Sequence, residues 1–220
     1  MAPTLYHHWL SPGARLVRLV LAEKQVDFTT VVERYWERRD AFLALNPAGT
    51  VPVLLMDEEA RPLADTRAIV EYLDECFPEP QLIGMDPEQR AEVRRLVGWF
   101  EAKFAPEVTE PLIRERVLRG GEPDGASIRA ARWNVQVHLD YVGFLMERRR
   151  WLAGPRISMA DLAAAAHLSV ADYLGEVPWD RNRDAREWYA RVKSRPSFRP
   201  LLSDRIGGFA PPAHYDDLDF

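Results

Sequence analysis

Two segments carry the residues best able to hold a ligand. Asn46-Pro47-Ala48-Gly49-Thr50-Val51-Pro52-Val53-Leu54 sets a proline between a loop and an apolar β-branched run, and Ala64-Asp65-Thr66-Arg67-Ala68-Ile69 follows closely. Pro52 is expected to begin a strand, where its missing N–H costs no ladder bond. The loop must turn sharply there, and an X-Pro bond in a tight turn is where a cis peptide is affordable. Such a bond would present the N–H and C=O of Val51 sideways as a docking site for extended backbone. Asp65 and Thr66 then open a helix carrying Ile69, Val70, Tyr72 and Leu73 at helical spacing, which supplies free N–H groups and a positive dipole end. Together the segments read as a small-peptide or carboxylate site at one edge of a sheet. A strand and a helix that merely pack are the plainer alternative.

The elements that must position these residues alternate in type. Residues 3–7 form a short apolar-aromatic strand, and residues 12–24 carry Leu16, Leu19, Val20 and Ala22 at helical spacing. A β-branched strand is predicted over 27–33, and a short helix over 38–45 that stops at Asn46-Pro47, because a residue before proline leaves the α region. A hairpin around Asp57-Glu58-Glu59 joins strands at 53–56 and 61–64, and a helix over 66–76 closes the unit. Strand, helix, strand, then helix, hairpin, helix gives a four-stranded sheet flanked by helices, the thioredoxin-like α/β plan.

Residues 79–86, rich in proline and polar side chains, are the expected linker between a domain at 1–78 and an all-helical domain at 87–205. Beyond the linker the β-branched alternation stops. A long helix is predicted over 87–118, with Val93, Leu96, Val97, Phe100 and Phe104 on one face and kinks at Pro106 and Pro111. Gly120-Gly121-Glu122-Pro123-Asp124-Gly125 is a turn. A second long helix is expected over 127–150 with Val135, His138, Leu139, Val142 and Leu145 inward, its terminal Arg148-Arg149-Arg150 suiting the dipole. Further helices are expected at 159–173, 182–193 and 196–202. Ser158 and Asp161 form a capping box for the first of these, with Ile157 placed to pack on Leu162. The alanines at 163–166 allow close helix approach, so this helix is expected at the core.

Composition narrows the function classes. The chain has 220 residues, 47% hydrophobic and 29% charged, which suits one large or two small globular domains. Its formal net charge of −5 lacks the concentrated positive field that phosphate binding needs, so nucleic acid is not an expected partner. The single cysteine, Cys76, cannot form an internal disulfide and fits a reducing compartment. No signal-peptide pattern or stretch of eighteen apolar residues is present, so a cytoplasmic protein without membrane insertion is expected. No metal site is expected: His7 and His8 are adjacent, His138 and His167 stand on helices without cysteine or carboxylate at ligand spacing, and His214 is near the end.

The order Leu5-Tyr6, Ser11-Pro12 with Arg15 and Arg18, Asn46-Pro47 with Val51-Pro52, and Asp65-Thr66-Arg67-Ala68-Ile69 with Glu71-Tyr72-Leu73 resembles the thioredoxin-like half of glutathione transferases. Ile157-Ser158-Met159-Ala160-Asp161-Leu162 and Ser194-Arg195-Pro196-Ser197-Phe198 resemble the helical half, so the likeness covers nearly the whole chain. For the ligand groove it implies that the Val51 backbone pairs with the cysteinyl part of glutathione, while Asp65 and Thr66 hold the γ-glutamyl end. For catalysis it implies a thiolate-stabilising hydroxyl from Tyr6 or Ser11. Ser11 before Pro12 is also a good helix cap, and that role alone explains the pair. Members that exchange thiols carry cysteine at that position, and Cys76 sits near a helix C-terminus, so redox chemistry is disfavoured.

The chain departs from the common pattern in two places. Before the second helix it offers Tyr35-Trp36-Glu37 and then Arg38-Arg39, where glycine-carboxylate binders commonly offer a basic or amide side chain. An indole and an acid there narrow the groove and repel a carboxylate, unless an arginine compensates. Two readings of Trp36 stand: a rim aromatic packed on the second helix, or an exposed anchor for a protein. The second departure is a terminal extension, 206–220, in which Gly207-Gly208 and Pro211-Pro212 forbid helix continuation. Asp216, Asp217 and Asp219 interleave there with Tyr215, Leu218 and Phe220, suited to a groove with basic rims. Folding back on its own domain through Phe209 and Tyr215 is the alternative.

With Tyr35-Trp36-Glu37-Arg38 and the ending Asp216-Asp217-Leu218-Asp219-Phe220, the whole chain resembles the glutathione-transferase-like division proteins of alphaproteobacteria. That resemblance implies a homodimer that binds polymers of the tubulin-like GTPase FtsZ at the division site and promotes curved filaments. It also implies no catalysis and no cofactor, with Trp36, Asp216, Asp217, Leu218, Asp219 and Phe220 as the partner-binding residues. The rival is a glutathione transferase that conjugates glutathione to electrophiles. A third reading is a binding protein that keeps glutathione as a structural ligand.

Overall fold

The structure, a computed structural model, describes residues 2–57 and 60–218. The predicted turn at Glu58-Glu59 and the last two tail residues, Asp219 and Phe220, lie outside the described residues. The chain divides into two compact units between Gln81 and Leu82, within the expected linker.

The first unit is the expected thioredoxin-like α/β domain. Its strands β1 (Thr4–His7), β2 (Thr29–Val32), β3 (Val53–Leu55) and β4 (Leu63–Ala64) form one sheet in the order β2-β1-β3-β4. β1 runs parallel to β2 and antiparallel to β3, which pairs antiparallel with β4. A parallel pair needs a crossover, and α1 (Pro12–Glu23) supplies it. Leu5, Val53 and Leu54 are buried with Leu16, Leu19 and Val20 of α1 and with Ile69, Val70 and Leu73 of α3 (Thr66–Cys76). α2 (Asp40–Leu45) buries Phe42 alone. It starts two residues later than expected because Arg38 takes a left-handed conformation, φ 49°, closing a short 3₁₀ turn at Tyr35–Glu37. Lys24 ends α1, and its buried ammonium reaches Asp74 Oδ1 at 2.5 Å, the Phe77 carbonyl at 2.6 Å and the Pro80 carbonyl at 2.7 Å. Three oxygens thus compensate a buried charge that would otherwise be costly.

The second unit is helical. α4 (Pro87–Trp99) passes without a break into a π-helical stretch (Phe100–Thr109), then α5 (Glu110–Ile113), then a second π stretch (Arg114–Leu118). Kinks were expected at Pro106 and Pro111; what the structure shows at these prolines is a change of helical winding. Pro106 lies inside the first π stretch and Pro111 in the first turn of α5, since a missing N–H is tolerated where the bonding pattern shifts.

α6 (Gly125–Met146) buries Val135, His138, Leu139, Val142 and Leu145 as expected. It stops short of residue 150, which corrects the reading of Arg148-Arg149-Arg150 as a helix-end cap. Arg149 instead donates to the Leu152 carbonyl at 2.7 Å and to Glu92 Oε1 at 2.6 Å, and Arg148 lies over the Phe144 ring.

α7 (Met159–Tyr173) is buried along its whole length, with Ala163 to Ala166 fully inaccessible. Asp161 Oδ2 accepts from the Ser158 N–H at 2.9 Å and the Ser158 hydroxyl at 3.0 Å, the expected cap interaction. Its other oxygen accepts from Leu152 N at 2.8 Å and Trp188 Nε1 at 2.9 Å, two partners that no local spacing reveals. Burial pushes this carboxyl up, and the four donors oppose that shift. α8 (Arg183–Lys193) is capped by Asn182, whose side chain accepts from Ala185 N at 3.0 Å. Gly143 lets α6 approach this cap, because a Cβ there would stand 2.5 Å from the Asn182 amide. α9 (Arg199–Leu202) is short.

Candidate functional site

Two of the predicted groove residues, Pro52 and Thr66, approach the start of α1. Ser11 caps that helix, its hydroxyl accepting from Ala14 N at 3.2 Å with Pro12 in the first turn. A hydroxyl that accepts one bond still carries a proton to donate. At the next helical position, Gly13, an added Cβ would stand 2.2 Å from Thr66 Oγ1 and 3.3 Å from Pro52 Cδ. The start of α1, the turn into β3 and the start of α3 therefore touch at a glycine. Pro52 and Thr66 thus approach Gly13, two residues after Ser11, and the missing Cβ of Gly13, which sequence reasoning passed over, allows it. Its signal was present as a Pro-Gly pair at a helix start.

The Val51–Pro52 bond is cis, as is Glu79–Pro80. Val51 precedes the β3 ladder, which begins at Val53. Asp65 caps α3, its Oδ1 accepting from Ala68 N at 3.0 Å, and holds φ at 77°, a region costly for a residue with a Cβ. Tyr6 turns toward α2, its ring 6.0 Å from that of Phe42.

Trp36 stands at the rim of the same unit and is 45% exposed. Its ring meets His8 edge-on at 5.0 Å and Tyr35 at 5.2 Å. The His8 carbonyl accepts from Ser11 N at 3.0 Å, so the aromatic ledge and the start of α1 share one turn. Burial beside Arg15 and Arg34 holds His8 below its ordinary pKa, which favours a neutral ring against the indole. Glu37 pairs with Arg34 at 3.3 Å. Arg39 binds the buried Glu33 through both carboxylate oxygens.

The terminal segment packs on the second unit through residue 218. Tyr215 is fully buried, and its hydroxyl donates to the Leu201 carbonyl at 3.2 Å. The buried Lys193 donates to the His214 carbonyl at 2.9 Å and the Asp217 carbonyl at 2.6 Å. His214 Nε2 lies 3.0 Å from Asp172 Oδ1, and Arg205 pairs with Asp216 at 2.6 Å. Of the two readings of this segment, the described residues follow the one in which it folds back through Tyr215. Asp217 remains exposed and Leu218 is half-buried. Lys193 as the anchor was not legible beforehand, because it looked like an ordinary basic residue at a helix end.

The family model described as Glutathione S-transferase, N-terminal domain, matches residues 10–76. The chain is 51% identical to FtsZ-localized protein A of Caulobacter vibrioides, over 99% of this chain and 98% of that protein. It is 30% identical to maleylacetoacetate isomerase of Pseudomonas aeruginosa, over 89% of this chain and 93% of the other.

The chain belongs to the glutathione transferase family.

Two solved structures place this glutathione transferase fold in context. A glutathione S-transferase from Rhodospirillum rubrum superposes with a TM-score of 0.97 at 55% identity, covering 99% of this chain and all of that one. FzlA from C. crescentus superposes with a TM-score of 0.96 at 50% identity, covering both chains fully. Among the described residues of this family member, no group of three or more His, Cys, Asp or Glu could hold a metal ion, and no helix is long and apolar enough to cross a membrane.

Proposed function

We propose that this member of the glutathione transferase family is a non-catalytic, homodimeric cell-division regulator that binds FtsZ polymers and promotes their curvature during constriction. It acts in the cytoplasm, at the division site. The observation that carries the reading is the end-to-end likeness, at half identity, to a protein named for its localisation with FtsZ. The geometry suits it. An exposed indole held on two neighbouring rings is a rigid anchor that loses little freedom on binding, and Trp is enriched at interface hot spots. Trp36 and the segment Asp216, Asp217, Leu218, Asp219 and Phe220 are the partner-binding residues. Two copies related by a two-fold would present two such surfaces, as bridging or bending a filament requires. Pelleting the protein with FtsZ polymerised by GTP, with filaments imaged by electron microscopy, tests this directly. Co-pelleting with curved filaments is expected, and straight filaments with the protein left in the supernatant would end the reading.

A second reading draws support from the close approach of Thr66 and Pro52 to Gly13 at the start of α1. Under it Val51, Asp65 and Thr66 hold glutathione and Ser11 or Tyr6 stabilises the thiolate. Calorimetry separates the two. The regulator gives no heat with millimolar glutathione, whereas micromolar binding with conjugation of a model electrophile marks the enzyme.

A further inference from the structure

The sheet of the first unit has two outer strands, and they differ in how they meet solvent. β4 is two residues long and follows Pro62, so it offers an incoming strand little to pair with. β2 has no such protection. Its sequence Thr29-Thr30-Val31-Val32 is β-branched throughout, without charge, proline or glycine, and all four residues are exposed, Val31 at 38% and Val32 at 45%. The direction of its backbone groups follows from the ladder to β1. Thr29 N donates to the Pro3 carbonyl at 2.8 Å and Glu33 N to the His7 carbonyl at 2.8 Å. Inward and outward groups alternate along a paired strand, so Thr29, Val31 and Glu33 bond toward β1 while Thr30 and Val32 direct their N–H and C=O away from the sheet. A row of this kind is a template for one more strand.

We infer that the outer edge of β2 is a self-association surface, on which β2 of a second copy of this chain pairs antiparallel with Val31 on the two-fold axis. The inference is independent of the partner reading above and of any other contact between copies. A two-fold axis through the edge requires antiparallel strands, and outward groups must face outward groups. Pairing Thr30 with Val32 of the copy, and Val32 with its Thr30, is the one register that keeps every hydrogen-bonded pair inside β2. Centring on Thr30 instead forces Val32 onto Phe28, and centring on Val32 forces Thr30 onto Arg34. With Val31 central, the two Val31 side chains meet in the closer, non-hydrogen-bonded kind of pair, where branched apolar groups pack across strands. Charge agrees with the direction. The exposed Asp27 precedes the strand and Arg34 follows it, its pairing with Glu37 at 3.3 Å lying in solvent. Antiparallel strands bring each acid beside the copy's base, whereas a parallel alignment would set Asp27 on Asp27 and Arg34 on Arg34. The pairing joins two four-stranded sheets into one of eight strands, within the usual range.

Analytical ultracentrifugation over a concentration series up to millimolar tests this in a Cys76→Ser background, which removes the exposed native thiol. A contact four residues long lies at the small end for protein interfaces, so the parent chain is expected to double its mass reversibly toward the top of the series. Thr30→Pro removes an outward N–H without touching the ladder to β1, and Val32→Lys sets a charge on the edge as protected strands do. Each is expected to weaken the doubling at least about tenfold with unchanged circular dichroism. Under mild oxidation Val31→Cys is expected to crosslink to itself, its Cα atoms standing about 4.5 Å apart, while Thr30→Cys crosslinks only when mixed with Val32→Cys. A parent chain of constant mass throughout would overturn the inference, as would a doubling that Val32→Lys leaves unchanged. Self-crosslinking through Thr30→Cys would overturn the register. Each of these results leaves the partner reading standing.

Discussion

Gly13 sets the close approach of α1 to Thr66 and Pro52 at the scale of single residues. An added methyl there must displace Thr66 Oγ1, which stands 2.2 Å from its position, with Pro52 Cδ at 3.3 Å. Gly13→Ala is therefore expected to destabilise the chain by about 2 kcal/mol, as overpacking does. Thr66→Ala in the same chain should recover about 1 kcal/mol of that through the coupling of adjacent sites, measured by urea denaturation. Equal and additive losses would place the strain elsewhere. Ser11, Pro52, Asp65 and Thr66 were legible beforehand because helix caps and an X-Pro turn are local chemistry. Gly13 was not, since the need for a missing Cβ arises from chain segments far apart in sequence. Nor was the pairing of Arg39 with the buried Glu33 legible.

Asp161 joins three segments of the second unit, and its effect belongs to the scale of elements. The sequence identifies its reach to Ser158, and a lost cap alone costs about 1 kcal/mol. The structure adds the Leu152 amide and the Trp188 indole, so Asp161→Ala would leave buried donors from the preceding loop and from α8 unpaired at the start of a core helix. A loss of about 3 kcal/mol or more is expected in the urea midpoint, well above the cap value. A loss near 1 kcal/mol would mean that the two remote donors find other partners.

α7 also carries one source of acid sensitivity in the unit. Burial holds His167 at about 3, against an ordinary value of 6.5, with Thr109 on the facing helix as its hydrogen-bond partner at 3.2 Å. The folded form refuses a proton that the unfolded chain accepts, so the stability present above pH 6.5 falls steadily as pH drops toward 3. By pH 5 the loss through this residue is on the order of 2 kcal/mol. His167→Asn should flatten thermal stability between pH 7 and pH 5, and an unchanged slope would exclude it as the cause. Helix identities were legible throughout because apolar periodicity is strong. The early end of α6 and the anchoring of the terminal segment by Lys193 were not, because Glu92 and Lys193 act through partners far away in sequence.

The whole molecule carries an exposed tryptophan, Trp36, on a glutathione transferase fold, and the fold was readable from sequence where a partner was not. Fold follows from patterns repeated over many residues. A partner surface rests on a few side chains, and neither Trp36 nor the terminal aspartates depart from ordinary rim chemistry until family context is added. If the outer surface does the work, losing Trp36 should abolish partner binding while leaving the body intact. Co-sedimentation with GTP-polymerised FtsZ decides this for the parent chain, Trp36→Glu and Asp217→Lys, each checked for an unchanged melting temperature. The account predicts that the parent chain pellets with polymer and that Trp36→Glu binds at least about tenfold more weakly, as loss of a hot-spot residue does. Asp217→Lys should also weaken pelleting. Equal pelleting of all three chains would contradict it.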